Sequence, residues 1–304
     1  MAPRRILVTG AGGFVGTHLL ATLRQAFPNA TLHTDPFEIT DPSATAAAVA
    51  AARPDAVIHL AAIAAIPAAR QAPDAAWRVN LGGTLTLART ILAHAPDAAF
   101  VFASSADLYG ASFRSGIPLD EAALPAPLNT YGATKAAADL ALGAMAAEGL
   151  RAIRVRPFNH TGAGQSNAFV VAAFAEQVAR IAAGQQPPVL HVGALDPLRD
   201  FLDVRDVCAA YALCLVQAGA LAPGTVLNVA SGIPRRVGDV LAALLDAAGV
   251  TAEIATDAGR LRPTDIPVAA GDAGQARRLL GWAPAIPWDQ TVRDVLADWR
   301  RRIG

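Results

Sequence analysis

Tyr131 and Lys135 stand four positions apart in the run Tyr131-Gly132-Ala133-Thr134-Lys135. Side chains at i and i+4 share one helix face, so a helix here would aim both at one site. A phenol with a reference pKa near ~10 exchanges protons poorly at neutral pH. A neighbouring ammonium stabilises the phenolate and lowers that value, which makes a tyrosine usable as a general acid or base. Ser104-Ser105-Ala106-Asp107 follows the apolar run Ala99 to Ala103. A serine hydroxyl at a strand end can orient a carbonyl or alcohol that is being reduced or oxidised. Ser105, Tyr131 and Lys135 are therefore the candidate catalytic residues. The plainer reading places tyrosine and lysine on a solvated helix face. Composition speaks against it: of 25 basic residues, 24 are arginine and Lys135 is the one lysine. A guanidinium fork does not reproduce an ammonium beside a phenol.

A second constellation lies at the start of the chain. Thr9-Gly10-Ala11-Gly12-Gly13-Phe14-Val15-Gly16 follows a strand, Ile6 to Thr9, and opens a helical stretch, Phe14 to Gln25. Gly10, Gly13 and Gly16 give the spacing GxxGxxG. Glycine at such positions permits a tight turn, close approach of backbone to a pyrophosphate, and close packing of helix on strand. The helix N-terminus then offers unpaired N–H groups and a positive dipole end to phosphate. Dinucleotide binding is the expectation, against a plain strand-to-helix turn. Asp35 follows the second strand, Thr31 to Thr34, about twenty residues after the glycines, where a ribose-binding acid is expected. A carboxylate there accepts from a ribose hydroxyl and repels a 2′-phosphate, so the cofactor expectation is NAD(P)H leaning to NAD. A solvated turn aspartate before Pro36 is the alternative.

These motifs need a frame. The 304 residues carry 25 acidic and 25 basic side chains, 53% hydrophobic residues and 16% charged ones. A neutral chain without a basic run is a poor partner for nucleic acid or anionic membranes, and one this apolar does not stay disordered. No stretch reaches about 18 uninterrupted apolar residues, so no membrane span is expected. Met1 to Arg5 lead directly into the first strand without a signal-like core, which makes the cytoplasm the expected compartment. Cys208 and Cys214 lie in an apolar helical pattern and read as buried thiols; no metal site is expected.

Strands alternate with helices through the first half. After Ile6–Thr9, Phe14–Gln25 and Thr31–Thr34 come a helix at Ser43–Ala52, a strand at Ala56–Leu60 and a long helical stretch at Ala72–Ala93. A strand at Ala99–Ala103, a helix at Tyr131–Ala147 and a strand at Ala152–Val155 complete this half. Near-continuous apolar strands in βαβα order predict a parallel sheet covered by helices on both faces. Pro157–Ser166 reads as a loop. Helices are expected at Phe169–Ala183, Arg205–Gln217, Val237–Ala247 and Gln290–Arg302, with a strand at Val226–Val229 that returns to the sheet. The fold class is α/β: a Rossmann-type doubly wound parallel sheet with a smaller C-terminal α/β substrate lobe. Residues 1-156 plus about 205-230 form the expected dinucleotide-binding domain, and 157-204 plus 231-304 the other lobe.

Together these pieces resemble the extended short-chain dehydrogenase/reductases, which include nucleotide-sugar epimerases, dehydratases and reductases. The resemblance runs nearly end to end. It comprises Thr9 to Gly16, His59-Leu60-Ala61-Ala62, Asn80 with Gly83-Thr84, Ser105, Tyr109-Gly110, Tyr131 with Lys135, and Arg156-Pro157-Phe158-Asn159. It implies Ser105, Tyr131 and Lys135 as a triad, with Tyr131 the acid/base and Lys135 also on the nicotinamide ribose. It implies cofactor contacts at Gly10, Gly13, Phe14, Val15, Gly16 and Asp35, at Glu38 and Ile39 by the adenine, and at Leu60, Ala61, Ala62, Asn80 and Pro157. His59 reads as a strand-end residue of the fold. A homodimer is implied too, through the helix of Tyr131 and the long helix before it.

The second half carries the substrate signal. Ser105, Asp107, Asn159, Val170, Arg199, Arg262 and Asp265 are the candidate substrate ligands, with Arg260 nearby. A guanidinium fork chelates phosphate oxygens, which suits a nucleotide-diphosphate sugar. The pattern is most similar to family members that reduce the C4 ketone of a GDP-linked 4-keto-6-deoxy sugar. A 4,6-dehydratase needs acid/base groups beyond the tyrosine, and Asp107 stands where similar dehydratases place a glutamate. Epimerase or dehydratase chemistry stays open on that ground. A non-catalytic nicotinamide sensor is a remote alternative, since it need not keep an intact triad.

Overall fold

A computed structural model describes residues 2–257, 259 and 266–304. The expected alternation appears as β1 (Arg5–Thr9), α1 (Phe14–Ala26), β2 (Thr31–His33), α2 (Pro42–Ala52) and β3 (Ala56–His59). Two short helices follow, α3 (Ile66–Gln71) and α4 (Pro73–Trp77), then α5 (Thr84–His94), β4 (Ala99–Ala103), α6 (Thr130–Ala147) and β5 (Ala152–Pro157). The stretch expected as one helix over Ala72–Ala93 is interrupted: Arg78–Gly83 forms a wider π-type turn between α4 and α5. Gly82 and Gly83 weaken helix there, and Gly83 lies so close to Ile39 that a Cβ would sit 2.7 Å from its Cγ2. Ala72 stays outside the helix because Pro73 disfavours helical backbone in the residue before it.

The second half contributes β6 (Asn159–Thr161), α7 (Val170–Ala182), β7 (Val189–Val192), β8 (Leu198–Asp203), α8 (Val204–Val216) and β9 (Thr225–Val229). The chain closes with β10 (Pro234–Arg236), α9 (Val237–Ala248), β11 (Glu253–Thr256), β12 (Val268–Ala269), α10 (Gly274–Leu280) and α11 (Trp288–Ile303). Pro157–Ser166, expected as a loop, holds the end of β5 and all of β6. Three polar residues carry no periodic signal, and β6 pairs with the distant β8.

Six parallel strands run in the order β2-β1-β3-β4-β5-β9. The chain leaves β1 for β2 on one side and returns to β3 on the other. That reversal opens a crevice at the carboxyl ends of β1 and β3, the place where open α/β sheets bind ligands. α1 and α8 cover one face of the sheet, α2, α5 and α6 the other. A smaller sheet, β10-β8-β12 with β6 also on β8, sits beyond the carboxyl edge, backed by a separate apolar cluster from α7, α9 and α11. Ala273, Ala276, Leu280 and Trp282 pack with the large sheet's core. Cys208 and Cys214 are buried free thiols. Among the described residues no helix is long and apolar enough to cross a membrane, and no His, Cys, Asp and Glu cluster could hold a metal ion.

Candidate active site

The glycine loop turns at the mouth of the crevice. Gly10 has φ +72°, a conformation that a side chain resists. A Cβ on it would come within 2.8 Å of the Ala61 nitrogen and 3.0 Å of the Leu60 carbonyl carbon. The loop therefore lies directly against Leu60-Ala61-Ala62 at the end of β3. A Cβ on Gly16 would overlap the carbonyl oxygens of Gly10 and Ala11, so α1 reaches this loop only with glycine there. Gly13 caps α1 without a side-chain acceptor, and a Cβ on Gly12 meets nothing within 4 Å. An uncapped helix start behind an open glycine surface fits the pyrophosphate of a dinucleotide. Phe14 and Val15 begin α1, and Phe14 stacks parallel on His160 with ring centres 6.3 Å apart.

The expected adenosine side is less uniform. Asp35 is exposed just after β2. Glu38 is exposed and accepts from the Thr40 N–H at 3.0 Å and the Thr40 hydroxyl at 2.6 Å, which holds its carboxyl below the ordinary range. Ile39 is buried against Gly83. Asn80 is completely buried and its amide is already engaged. Its Oδ1 accepts the Ile63 N–H at 2.8 Å, and its Nδ2 donates to the Ile63 carbonyl at 3.2 Å and to Thr134 Oγ1 at 3.0 Å. In this arrangement Asn80 shapes the crevice wall through Ile63.

Ser105, Tyr131 and Lys135 converge beside the same crevice. Ser105 caps a 3-10 turn (Ala106–Leu108), its Oγ accepting the Asp107 N–H at 3.1 Å. Asn129 caps α6 by accepting the Gly132 N–H at 2.8 Å, which sets Tyr131 and Lys135 in its first two turns. Burial pushes the Tyr131 phenol well above its ordinary range, and the Asp107 charge adds to this. Hydrogen bonding with Ser105 opposes both. Lys135 is buried, donates to the Ala103 carbonyl at 2.7 Å, and lies over the Phe102 ring at 4.8 Å. Burial pushes its ammonium down to about 7, against the pull of Asp139. Both groups are thus biased to their neutral forms, and the phenol is held as a proton donor.

Pro157 ends β5 opposite Val229. Asn159 is exposed in β6, Val170 is exposed at the first turn of α7, and Arg199 lies in β8 facing Arg235 of β10 in register. These three belong to the smaller sheet and its helices. Arg260, Arg262 and Asp265 lie outside the described residues. The motifs include Thr9 and Thr84 without giving them a role, and they leave two further supporting residues unread: the three threonines Thr9, Thr84 and Thr134 bond His59 and Asn80, and Asp139 binds Arg154 and Arg156. Asp139 does carry a signal, since it falls four residues after Lys135 on the same helix face.

The chain is 37% identical to the GDP-6-deoxy-D-mannose reductase of Pseudomonas aeruginosa, over 99% of this chain and 98% of that protein. It is 32% identical to a UDP-glucose 4-epimerase of Azospirillum brasilense, over 99% and 93%. The solved structure of RMD from Pseudomonas aeruginosa complexed with NADPH superposes with a TM-score of 0.87, at 34% identity, covering 98% of this chain and 99% of that one. The sequence model of the NAD dependent epimerase/dehydratase family matches residues 6–230, which span the glycine loop, the serine, the tyrosine and the lysine. With that match across most of its length, and a glycine cradle and a Ser-Tyr-Lys cluster meeting at one crevice, the chain belongs to the NAD dependent epimerase/dehydratase family.

Proposed function

We propose that the protein is an NAD(P)H-dependent oxidoreductase that reduces the C4 ketone of a nucleotide-activated 4-keto-6-deoxy sugar, converting GDP-4-dehydro-6-deoxy-D-mannose to GDP-D-rhamnose. The observation that carries this reading is the 37% identity to a GDP-6-deoxy-D-mannose reductase along nearly the whole of both chains. The site chemistry points the same way. A tyrosine biased toward its protonated form suits a reaction whose first demand is a proton for a developing alkoxide. A 4-epimerase or 4,6-dehydratase must first take a proton from a hydroxyl.

The cradle of Gly10, Gly13, Phe14, Val15 and Gly16 would hold the pyrophosphate, and Leu60, Ala61, Ala62 and Pro157 would border the nicotinamide end. When bound, the reduced nicotinamide supplies the hydride equivalent that a ketone carbon accepts. Tyr131 gives its proton to the sugar oxygen, Ser105 orients that oxygen by hydrogen bonding, and Lys135, in its ammonium form, compensates the phenolate left behind. Asp107 and Asn159 would contact the sugar. Arg199, Arg262 and Asp265, with Val170 at the start of α7, would hold the nucleotide diphosphate. Asp35 favours NADH at the ribose. The outer faces of α5 and α6, with a groove lined by Leu85, Arg89, Ala141 and Met145, are the surfaces through which two copies would pair.

The second reading, a 4,6-dehydratase or 4-epimerase, rests on Asp107, whose charge reaches the Tyr131 phenol, and on the epimerase relative. One experiment separates them. The purified enzyme is given GDP-4-keto-6-deoxymannose with NADH or NADPH, nicotinamide oxidation is followed by its ultraviolet absorbance, and the sugar is identified by NMR. Oxidation with either cofactor and a GDP-linked 6-deoxyhexose as product supports the reductase; no oxidation with either refutes it. Tyr131→Phe should lower turnover by about a hundredfold or more while cofactor binding persists.

A further inference from the structure

A chain of buried polar side chains runs beneath the crevice, and its hydrogen atoms can be assigned one by one. Thr84 Oγ1 lies 2.7 Å from the Asn80 carbonyl, which can only accept, so the single Thr84 hydrogen goes there. His59 Nε2 lies 2.9 Å from the same Thr84 oxygen and must therefore donate to it. His59 Nδ1 lies 2.6 Å from Thr9 Oγ1, which already accepts the Ala61 N–H at 3.3 Å. With Nδ1 unprotonated, the Thr9 hydroxyl donates to it and every member is satisfied. A second proton on the ring would leave the Thr9 hydrogen without an acceptor in this chain. It would also place a cation near Lys135, since His59 stacks on Phe102 at 5.8 Å and the Lys135 ammonium lies over that same ring at 4.8 Å. Burial and the Lys135 charge accordingly push the imidazole down to about 3.

The chain has two ends with different tasks. On the Thr9 side it reaches the Ala61 N–H, at the spot where Gly10 packs on β3. On the Thr84 side it reaches the Asn80 backbone. The Asn80 amide then brackets Ile63 and bonds Thr134, whose hydroxyl donates to the Tyr131 carbonyl at 2.8 Å. We propose that His59, as the neutral Nε2–H tautomer, is a positioning residue with two separable functions: its Nδ1 side sets the cofactor wall and its Nε2 side sets the helix turn that carries Tyr131. This assignment rests on the reductase reading only where turnover is measured.

Single-atom mimicry separates the two sides. Asparagine places a carbonyl acceptor near Nδ1, and glutamine places an amide donor near Nε2. In His59→Asn, cofactor Kd by calorimetry should stay within about threefold of wild type while kcat falls by roughly tenfold, the scale of one buried hydrogen bond. In His59→Gln the pattern should cross, with Kd rising by roughly tenfold and kcat staying within about threefold. His59→Leu should lose both. In the cofactor-free protein, exchange protection of the Ile63 amide should persist in His59→Gln and drop in His59→Asn. Thr9→Val and Thr84→Val should reproduce the cofactor-side and tyrosine-side losses in chains that retain the histidine, which covers a misfolded His59 variant. Parallel changes of Kd and kcat in the Asn and Gln variants, or wild-type values in His59→Leu, would overturn the assignment. Should wild type fail to turn over the GDP-sugar, the reductase reading falls, and cofactor Kd with Ile63 exchange still decides the role of His59.

Discussion

Asp139 lies one helical turn beyond Lys135 and grips the Arg156 guanidinium with both carboxylate oxygens, at 3.1 and 2.8 Å. It also accepts from Arg154 at 3.1 Å. Arg156 in turn donates to the Tyr109 hydroxyl at 2.9 Å, and Tyr109 donates to Asn228 at 2.8 Å. One buried acid thus serves two arginines, and its charge also reaches Lys135. Removing one member of a buried ion pair costs about 3–5 kcal/mol, because the partner charge is left desolvated. Asp139→Ala is expected to lower the urea unfolding free energy by that amount. A loss under about 1 kcal/mol would show that the arginines find other partners.

The solitary lysine makes the proposed active site directly observable. Lysine labelled with 13C at Cε gives one side-chain resonance, and its titration midpoint in the cofactor-free enzyme should fall near 7, where burial places it. Asp139→Asn should move the midpoint lower, because the Asp139 charge supports the ammonium. Between about 7 and the ordinary 10.5, the unfolded chain keeps a proton that the native state has released. The unfolded state therefore binds more protons, and this group makes stability rise with pH across that window. Lys135→Met removes the dependence, so its stability advantage over wild type should shrink from pH 7 to 10. An advantage constant with pH would contradict the placement.

Two glycines of the loop should separate folding from binding. Gly12→Ala adds a methyl where no atom lies within 4 Å, so the cofactor-free melting temperature should hold while cofactor affinity weakens. Gly16→Ala drives a methyl into the Gly10 and Ala11 carbonyl oxygens, and overpacking of this kind costs about 1–3 kcal/mol. Thermal melts with and without cofactor distinguish the two. Equal behaviour of both variants would mean that the open face of Gly12 is not where the pyrophosphate lies.

Asp35 should govern cofactor choice. A carboxylate and a 2′-phosphate about 4 Å apart repel by about 1 kcal/mol in bulk water and more near protein. Asp35→Ser is expected to raise the NADPH-to-NADH ratio of kcat/KM by about fivefold or more. An unchanged ratio would remove Asp35 from the ribose site.

The parts of this molecule legible in the sequence are those whose signals are local. β1, the glycine loop and α1 are contiguous, and Tyr131 and Lys135 are related by one helical turn. Both constellations meet at the crevice between β1 and β3, on the parallel sheet that the βαβ order implied. What escaped depends on distant partners. β6 is three residues long and exists because β8 lies beside it. The break at Arg78–Gly83 joins two local glycines to tertiary contacts at Ile39 and Ile63 that the sequence does not display. The consumption of the Asn80 amide needs Thr134, from a helix in another part of the chain. The bias of Tyr131 toward its protonated form also runs against simple pairing with Lys135, because burial acts on both groups at once.

β8 is only six residues long, yet it belongs to both cores: Phe201 is buried in the cluster of α7, α9 and α11, while its neighbour Leu202 is buried with the large sheet. Such a strand is a party wall. A different C-terminal lobe could not be grafted onto the large-sheet half by cutting at a linker, because any cut that removes one lobe strips a face from the other. Divergence of specificity in a chain built this way has to proceed by exchanging side chains at the rim and loops beyond the strand ends, with the wall itself left standing.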